Sequence, residues 1–249
     1  MDASNFPYVV PLEGGSNFRD FGGHRTAEGT VRRGLVFRSA HLGALTDTDR
    51  EALGTLGVKT IVDLRGVNEA AETPHLIEGL ACRVVGAHIE PQLGEHLRAG
   101  LENGTLTPFV VMELLTDHYR DYPRRGASGF RTLFTTLSDG TRRPLVFHCT
   151  AGKDRTGFAS ALLLTLLGTR WDDVMEDYLR TNELWTGHVG RYPELDIDTR
   201  AAIVEARRPY LEAAFAAVHE DYGSIEAFAE KALGLDAKAR ERLKAELLE

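Results

Sequence analysis

The feature that most constrains this chain is a ten-residue segment, His148-Cys149-Thr150-Ala151-Gly152-Lys153-Asp154-Arg155-Thr156-Gly157, set between two apolar runs. Pro144-Leu145-Val146-Phe147 precedes it, and Phe158-Ala159-Ser160-Ala161-Leu162-Leu163-Leu164 follows. This reads as a buried strand, a tight loop and a buried helix. Cys149 and Arg155 close the two ends of the loop. A loop of that length, ending at a helix start, turns its backbone N–H groups inward as an anion-binding nest. The orphan N–H groups and positive dipole end of the helix add to it. Phosphate fits such a cup. A cysteine at its floor is stabilised as a thiolate and becomes a nucleophile, and the planar fork of Arg155 suits two phosphate oxygens.

The motif resembles the signature loop of cysteine-dependent protein tyrosine phosphatases. Its Lys153-Asp154 pair is similar to that of atypical bacterial tyrosine phosphatases, which also act on phosphoinositides and which some pathogens secrete. Two further stretches match that subgroup: Asn17-Phe18-Arg19-Asp20-Phe21-Gly22-Gly23, and Asp63 through Glu69 in the pattern Asp-Leu-Arg-x-x-x-Glu. The resemblance implies a phosphate monoester hydrolase working through a phosphocysteine, on phosphorylated protein or phosphoinositide. Such an enzyme needs no metal and no cofactor. The alternative from another class is a module that recognises phosphate without turnover.

Roles in the loop follow from residue type. Cys149 is the expected nucleophile, and the Arg155 fork with the backbone N–H groups of residues 150 to 155, Thr150, Ala151, Gly152 and Lys153 among them, forms the substrate cup; Thr156 belongs with the substrate-binding residues. Thr156 is also placed to hydrogen-bond the cysteine sulfur. His148 is expected to orient the loop, a role compatible with a simple buried histidine. Lys153 is either a reader of a second phosphate, as the resemblance implies, or a solvated lysine. The leaving group needs a proton, and the Trp-Pro-Asp element that usually supplies it is absent: Trp171 and Trp185 both follow the loop. Asp154, Asp63 and Asp121 are the candidates, and the resemblance favours Asp154. Arg19 and Asp20 are expected as supports of the site, although Asn17–Gly23 also reads as a plain turn. Asp63 is either near the loop or structural, and Arg65–Glu69 reads as a surface pair at helical spacing.

The remaining chain predicts an α/β fold with a mostly parallel central sheet flanked by helices. Residues 34–64 form a β-α-β unit, whose helix opens on the capping box Thr46/Asp49 and stops at Gly57. Residues 80–89 are the next strand candidate. Residues 91–123 hold two interrupted helices, at 92–101 and 109–122, a candidate helical lid or a peripheral helical pair. Residues 129–137 are helical, and beyond the loop everything reads as helix: 156–167, 171–180, and a C-terminal part over 199–249 with Ser224 and Asp236 as caps.

With 249 residues and no linker, the expectation is one domain over 1–249. Net charge is −8, from 29 basic and 37 acidic residues, which argues against nucleic-acid binding and requires a local cationic site for an anionic substrate. No apolar run is long enough to span a membrane, and the N-terminus lacks a signal-peptide pattern. The location expected is cytoplasmic, or exported without a recognisable signal; oligomeric state is left open. Two cysteines, Cys82 and Cys149, suit a reducing compartment; Cys82 is either an inert core thiol or a redox partner of Cys149.

Overall fold

The computed structural model describes residues 9–91 and 93–249; Met1–Tyr8 and Gln92 lie outside the described residues. The elements run β1 Arg19–Asp20, β2 Arg25–Thr26, β3 Gly29–Thr30, β4 Val36–Ser39, α1 Asp47–Thr55, β5 Thr60–Asp63, α2 Val67–Glu72 and β6 Arg83–Gly86. Then come α3 Leu93–Glu102, α4 Pro108–Arg120, α5 Tyr122–Arg125, α6 Ala127–Leu137, β7 Leu145–His148 and α7 Asp154–Leu166. The chain ends with α8 Trp171–Leu179, α9 Thr181–Leu184, α10 Ile197–Val204, α11 Arg208–Tyr222, α12 Ile225–Lys231 and α13 Ala237–Leu247.

The main sheet has the order β1-β4-β7-β5-β6. Strands β4, β7, β5 and β6 are parallel, and only β1 is antiparallel, on the outer side of β4. Side-chain alternation sorts the strands between two cores. Val36, Val62, Leu145 and Phe147 enter the larger one with the helices α4, α6, α7, α8 and α10 to α13. Phe37, Ile61 and Val146 face the smaller one, which α1 covers with Leu53. The capping box at Thr46 and Asp49 is present, and Gly57 follows the helix at φ 66°. Helix α7 is buried on nearly every side from Arg155 to Leu164, which is why its sequence shows no polar face.

The structure refines several boundaries. The strand expected over 80–89 pairs only at 83–86. In the C-terminal part expected to be helical over 199–249, α10 ends at Val204, and Glu205 and Arg207 are extended before Pro209 falls in the first turn of α11. Residues 19–20, expected as part of a loop, form the edge strand β1. Within 91–123, α4 is a core helix that buries Val111, Leu115 and Tyr119 and packs against α10 and α11, while α3 buries only Leu97 and Gly100. Among the described residues no helix is long and apolar enough to cross a membrane. Cys82, just ahead of β6, and Cys149, just after β7, stand at opposite ends of parallel strands. Both are free, and the length of the strands keeps them too far apart for a disulfide.

Candidate active site

The parallel register brings Ser39, Asp63 and His148 to one level at the carboxyl ends of β4, β5 and β7. Ligands of open α/β sheets bind at this edge. The loop begins at the next residue, Cys149, whose side chain lies at the floor and is almost fully buried.

The loop is held by its carbonyls. His41 N–H donates to the carbonyl of Thr150 at 3.1 Å. Asn17 Nδ2 donates to the carbonyls of Ala151 and Gly152 at 3.1 and 3.0 Å, and Arg38 donates to Gly152 at 2.7 Å. With three successive carbonyls tied outward, the N–H group on the far side of each planar trans peptide faces the interior of the cup. Gly152 has φ 65°, and a Cβ there would stand 2.5 Å from the Ser39 carbonyl and 2.7 Å from Asn17 Nδ2, so only glycine fits.

A buried ion cluster sets these anchors. Asp177 of α8 accepts from Arg19 Nε at 2.9 Å and also from Arg38. Arg19 reaches the Asn17 side chain in turn. Burial and the adjacent Arg38 pull Arg19 down to about 10. Burial acts to raise Asp177, but the two arginines outweigh it and hold the carboxyl far below the usual range. Arg19 thus supports the loop through Asn17. Asp20 is placed differently: its carboxylate accepts from the N–H groups of Gly22 and Gly34, both at 2.7 Å, and stabilises the turn beside β1.

Arg155 is gripped from one side. Its NH1 and NH2 donate to the two carboxylate oxygens of Glu69, NH1 also reaches the Ile89 carbonyl at 3.1 Å, and NH2 lies 3.3 Å from Thr150 Oγ1. Thr150 in turn donates to Glu69 at 2.6 Å. Burial would raise Glu69, but Arg155 and Thr150 pull it down to about 2. Burial also disfavours the Arg155 charge, and the Glu69 carboxylate and nearby Cys149 more than offset this, raising its pKa. Glu69 is therefore the partner of Arg155. Arg65, the expected partner, instead binds Asp63 with Nε and NH2 at 2.9 and 2.8 Å. These bonds outweigh burial and hold Asp63 at about 2.

Asp154 opens α7 with its side chain a quarter exposed. It accepts from Tyr119 OH at 2.7 Å, and Tyr119 meets Tyr178 OH at 2.7 Å. Burial raises both tyrosines well above their ordinary value, so each remains a protonated donor. Lys153 is not a solvated lysine: it is buried, and its Nζ donates to the Ile203 carbonyl at 2.7 Å while lying 3.4 Å from Asp154. Thr156 Oγ1 is buried without a hydrogen-bond partner among the described residues, so the expected bond to the cysteine sulfur is not formed. Asp121, the third candidate acid, pairs with Arg125 at 3.3 Å at the junction of α4 and α5. His148 Nδ1 meets the Cys149 carbonyl at 3.0 Å; burial lowers it to about 3, so it is neutral. A cavity of about 210 Å³ adjoins Thr150, lined by His41, Trp185 and Arg191 among others.

The sequence has counterparts among known proteins. The family model described as "Tyrosine phosphatase family" matches residues 10–249. The chain belongs to the tyrosine phosphatase family. Three relatives agree. A tyrosine-protein phosphatase by name, from Cupriavidus necator, is 33% identical over 89% of this chain and 82% of its own. The triple specificity protein phosphatase PtpB of Mycobacterium tuberculosis is 30% identical over 87% and 91%. A tyrosine-protein phosphatase of Nostoc commune is 28% identical over 84% and 73%.

In this phosphatase, Asn17, Arg38, Glu69, Tyr119 and Asp177 are contacts that the sequence reading missed as site residues. Glu69 gives the clearest test. Glu69→Gln removes the charge that holds the Arg155 fork, and kcat/KM for an aryl phosphate is expected to fall about 10²-fold, the order of a 1 Å misplacement. An unchanged kcat/KM would show that Arg155 holds its position without Glu69. The pH sign follows from the depressed carboxyl: the contact contributes fully above the ordinary value of 4.5 and is lost as pH falls through about 2.

Proposed function

We propose that this phosphatase cleaves phosphate monoesters on proteins through a phosphocysteine, with Cys149 as nucleophile, Arg155 as phosphate clamp and Asp154 as acid. The observation that carries the reading is the loop itself: Cys149 lies at the floor of a cup whose carbonyls are tied outward and whose arginine is held by Glu69. Cys149 Sγ attacks phosphorus in line, the bond to the ester oxygen breaks, and Asp154 gives that oxygen its proton. Water then attacks phosphorus, Asp154 takes the proton back, and the S–P bond breaks to release phosphate. The inward N–H groups and Arg155 stabilise the charge spread over the equatorial oxygens. Tyr119 orients the Asp154 carboxyl.

Phosphotyrosine is the substrate class we favour. The name of the mycobacterial relative supports a broader range. The cavity beside Thr150 offers Trp185 to an aryl ring, and Arg191, 5.8 Å above that indole, to further negative charge, as on a phosphoinositide. Wild-type protein is expected to hydrolyse a chromogenic aryl phosphate in the presence of a chelator. Binding of phosphate with no turnover would favour the recognition module instead. A side-by-side panel of phosphotyrosine, phosphoserine and phosphothreonine peptides and phosphoinositides ranks the substrates.

Asp154→Asn is expected to slow a phosphate ester with a poor leaving group by roughly 10²–10⁴-fold, with a far smaller effect on a nitrophenyl ester that needs no proton. If that variant keeps the wild-type rate on the poor leaving group while Asp63→Asn or Asp121→Asn loses it, the acid is misassigned.

A further inference from the structure

Behind the catalytic loop, three potential ligands from distant parts of the chain converge: Asp63 at the end of β5, His75 in the coil after α2, and His148 at the end of β7. One ligand atom from each lies within 4.8 Å of the other two. We propose that Asp63, His75 and His148 form a site for a divalent transition cation of the zinc type, and that its occupation reversibly shuts off the phosphatase.

The hydrogen bonds fix where the lone pairs point. The Cys149 carbonyl can only accept, so His148 Nδ1 carries the hydrogen and its Nε2 bears the lone pair. That Nε2 meets His75 Nε2 at 2.8 Å, so the hydrogen between them belongs to His75. With the nitrogens 2.8 Å apart and the ring centroids 5.0 Å apart, the two rings stand nearly head to head, which aims this N–H at the in-plane lone pair. Asp63 carboxylate oxygens stand 3.4 Å from His75 Nε2 and 3.8 Å from His148 Nε2. Two neutral imidazoles and a carboxylate thus enclose one proton.

For a metal to take the place of that proton, His75 changes tautomer and carries the hydrogen on Nδ1, so that both Nε2 atoms present lone pairs. Tetrahedral zinc with bonds of about 2.0–2.2 Å separates its ligand atoms by about 3.4 Å. The carboxylate–imidazole separations, 3.4 Å to one Asp63 oxygen and 3.8 Å to the other, leave the carboxylate a small rotation from that spacing, and the nitrogen pair must open by about half an ångström. His75 can supply this, since it sits on a coil with its side chain 12% exposed. Two imidazoles and a carboxylate suit zinc, cobalt and nickel better than magnesium or calcium. Arg65 opposes binding: it donates to Asp63 at 2.8 Å and lies 3.4 Å from His75 Nε2. His41 adds a further cationic influence on His75 only if protonated, and burial disfavours that. The arginine makes the site weak, in the micromolar class, and so responsive to a change in free metal. Inhibition follows from the coupling of His148 to the Cys149 carbonyl at 3.0 Å: a cation on His148 Nε2 polarises the ring, strengthens the Nδ1–H bond to that carbonyl and so alters the backbone that holds the nucleophile.

The test uses the Cys149→Ser protein, which removes the thiolate as a competing ligand. Calorimetric titration with zinc chloride is expected to give one site of micromolar Kd, and cobalt a d–d absorption band without thiolate charge transfer. His75→Gln, which keeps an N–H donor toward His148, and His75→Ala in that background are expected to weaken binding at least tenfold. In the enzyme with Cys149 intact, zinc is expected to inhibit and chelator to restore activity. His75→Gln, normalised to its own metal-free rate, should need at least ten times more zinc. Equal zinc affinity with and without His75, no zinc binding to Cys149→Ser, or equal zinc sensitivity of the His75→Gln enzyme would each overturn the proposal. Circular dichroism identifies which His75 variant is folded and is therefore scored.

Discussion

Cys149→Ser is expected to lower aryl phosphate turnover by at least about 10³-fold, because a serine hydroxyl at the same place is not ionised near neutral pH and is a far weaker nucleophile than a thiolate. The variant should still bind inorganic phosphate. The carbonyls that shape the cup are held by Asn17, Arg38 and His41, and the Arg155 fork by Glu69; none of these contacts involves the sulfur. The separation of the two effects is the informative part. Initial rates measure the first, and competition between phosphate and a reporter ligand measures the second. Turnover by the serine variant at the wild-type rate would end the phosphocysteine mechanism. Loss of phosphate binding would show that the cup depends on the thiolate for its shape.

Asp177→Asn should be among the most destabilising single substitutions in the chain. Asp177 is the shared anion of Arg19 and Arg38, and the side-chain exposures are 3% for the aspartate and 0% for each arginine. Asparagine keeps the volume and part of the hydrogen bonding but leaves two buried guanidinium groups without a counter-charge. Removing one partner of such a cluster costs about 3–5 kcal/mol, which for a domain of this size is roughly 6–20 °C in Tm. Chemical denaturation of the purified variant measures it, and a loss below about 1 kcal/mol would mean that water reaches the cluster. Arg38 also holds the Gly152 carbonyl, so the surviving folded fraction should have a lower kcat.

What the sequence disclosed and what it hid divide along physical lines. Local rules sufficed for the β-α-β unit over 34–64, for the caps Thr46, Ser224 and Asp236, and for the strand, loop and helix around Cys149, since each depends on neighbours within a few residues. The supports of the site depend on pairings across the chain. Arg19 and Asp177 are 158 positions apart, Glu69 and Arg155 are 86, and His75 and His148 are 73. Asp177 lies in α8 beside Asp172, Asp173 and Glu176, so in the sequence it looked like one more acid on a wet face. Glu69 was visible within the Asp63–Glu69 pattern, but helical spacing pointed it to Arg65, which burial had already committed to Asp63. Tyr119 was hidden because the polar interruptions of 91–123 suggested a peripheral segment, whereas α4 inserts one apolar stripe into the core.

The strand order carries a consequence for synthesis of the chain. Strand β7 lies between β4 and β5 although it is made after both. Until it emerges, the sheet exists as two separate pieces, β1 with β4 and β5 with β6, each with an open edge facing the gap. From Ser39 to Leu145 the ribosome adds 106 residues, about 5–20 s at ordinary rates of elongation. Through that interval the inner edges of β4 and β5 are the parts of the nascent chain most open to mispairing. The last strand of the sheet to arrive both joins the two pieces and delivers Cys149, so no reactive cup exists before β7 has been made.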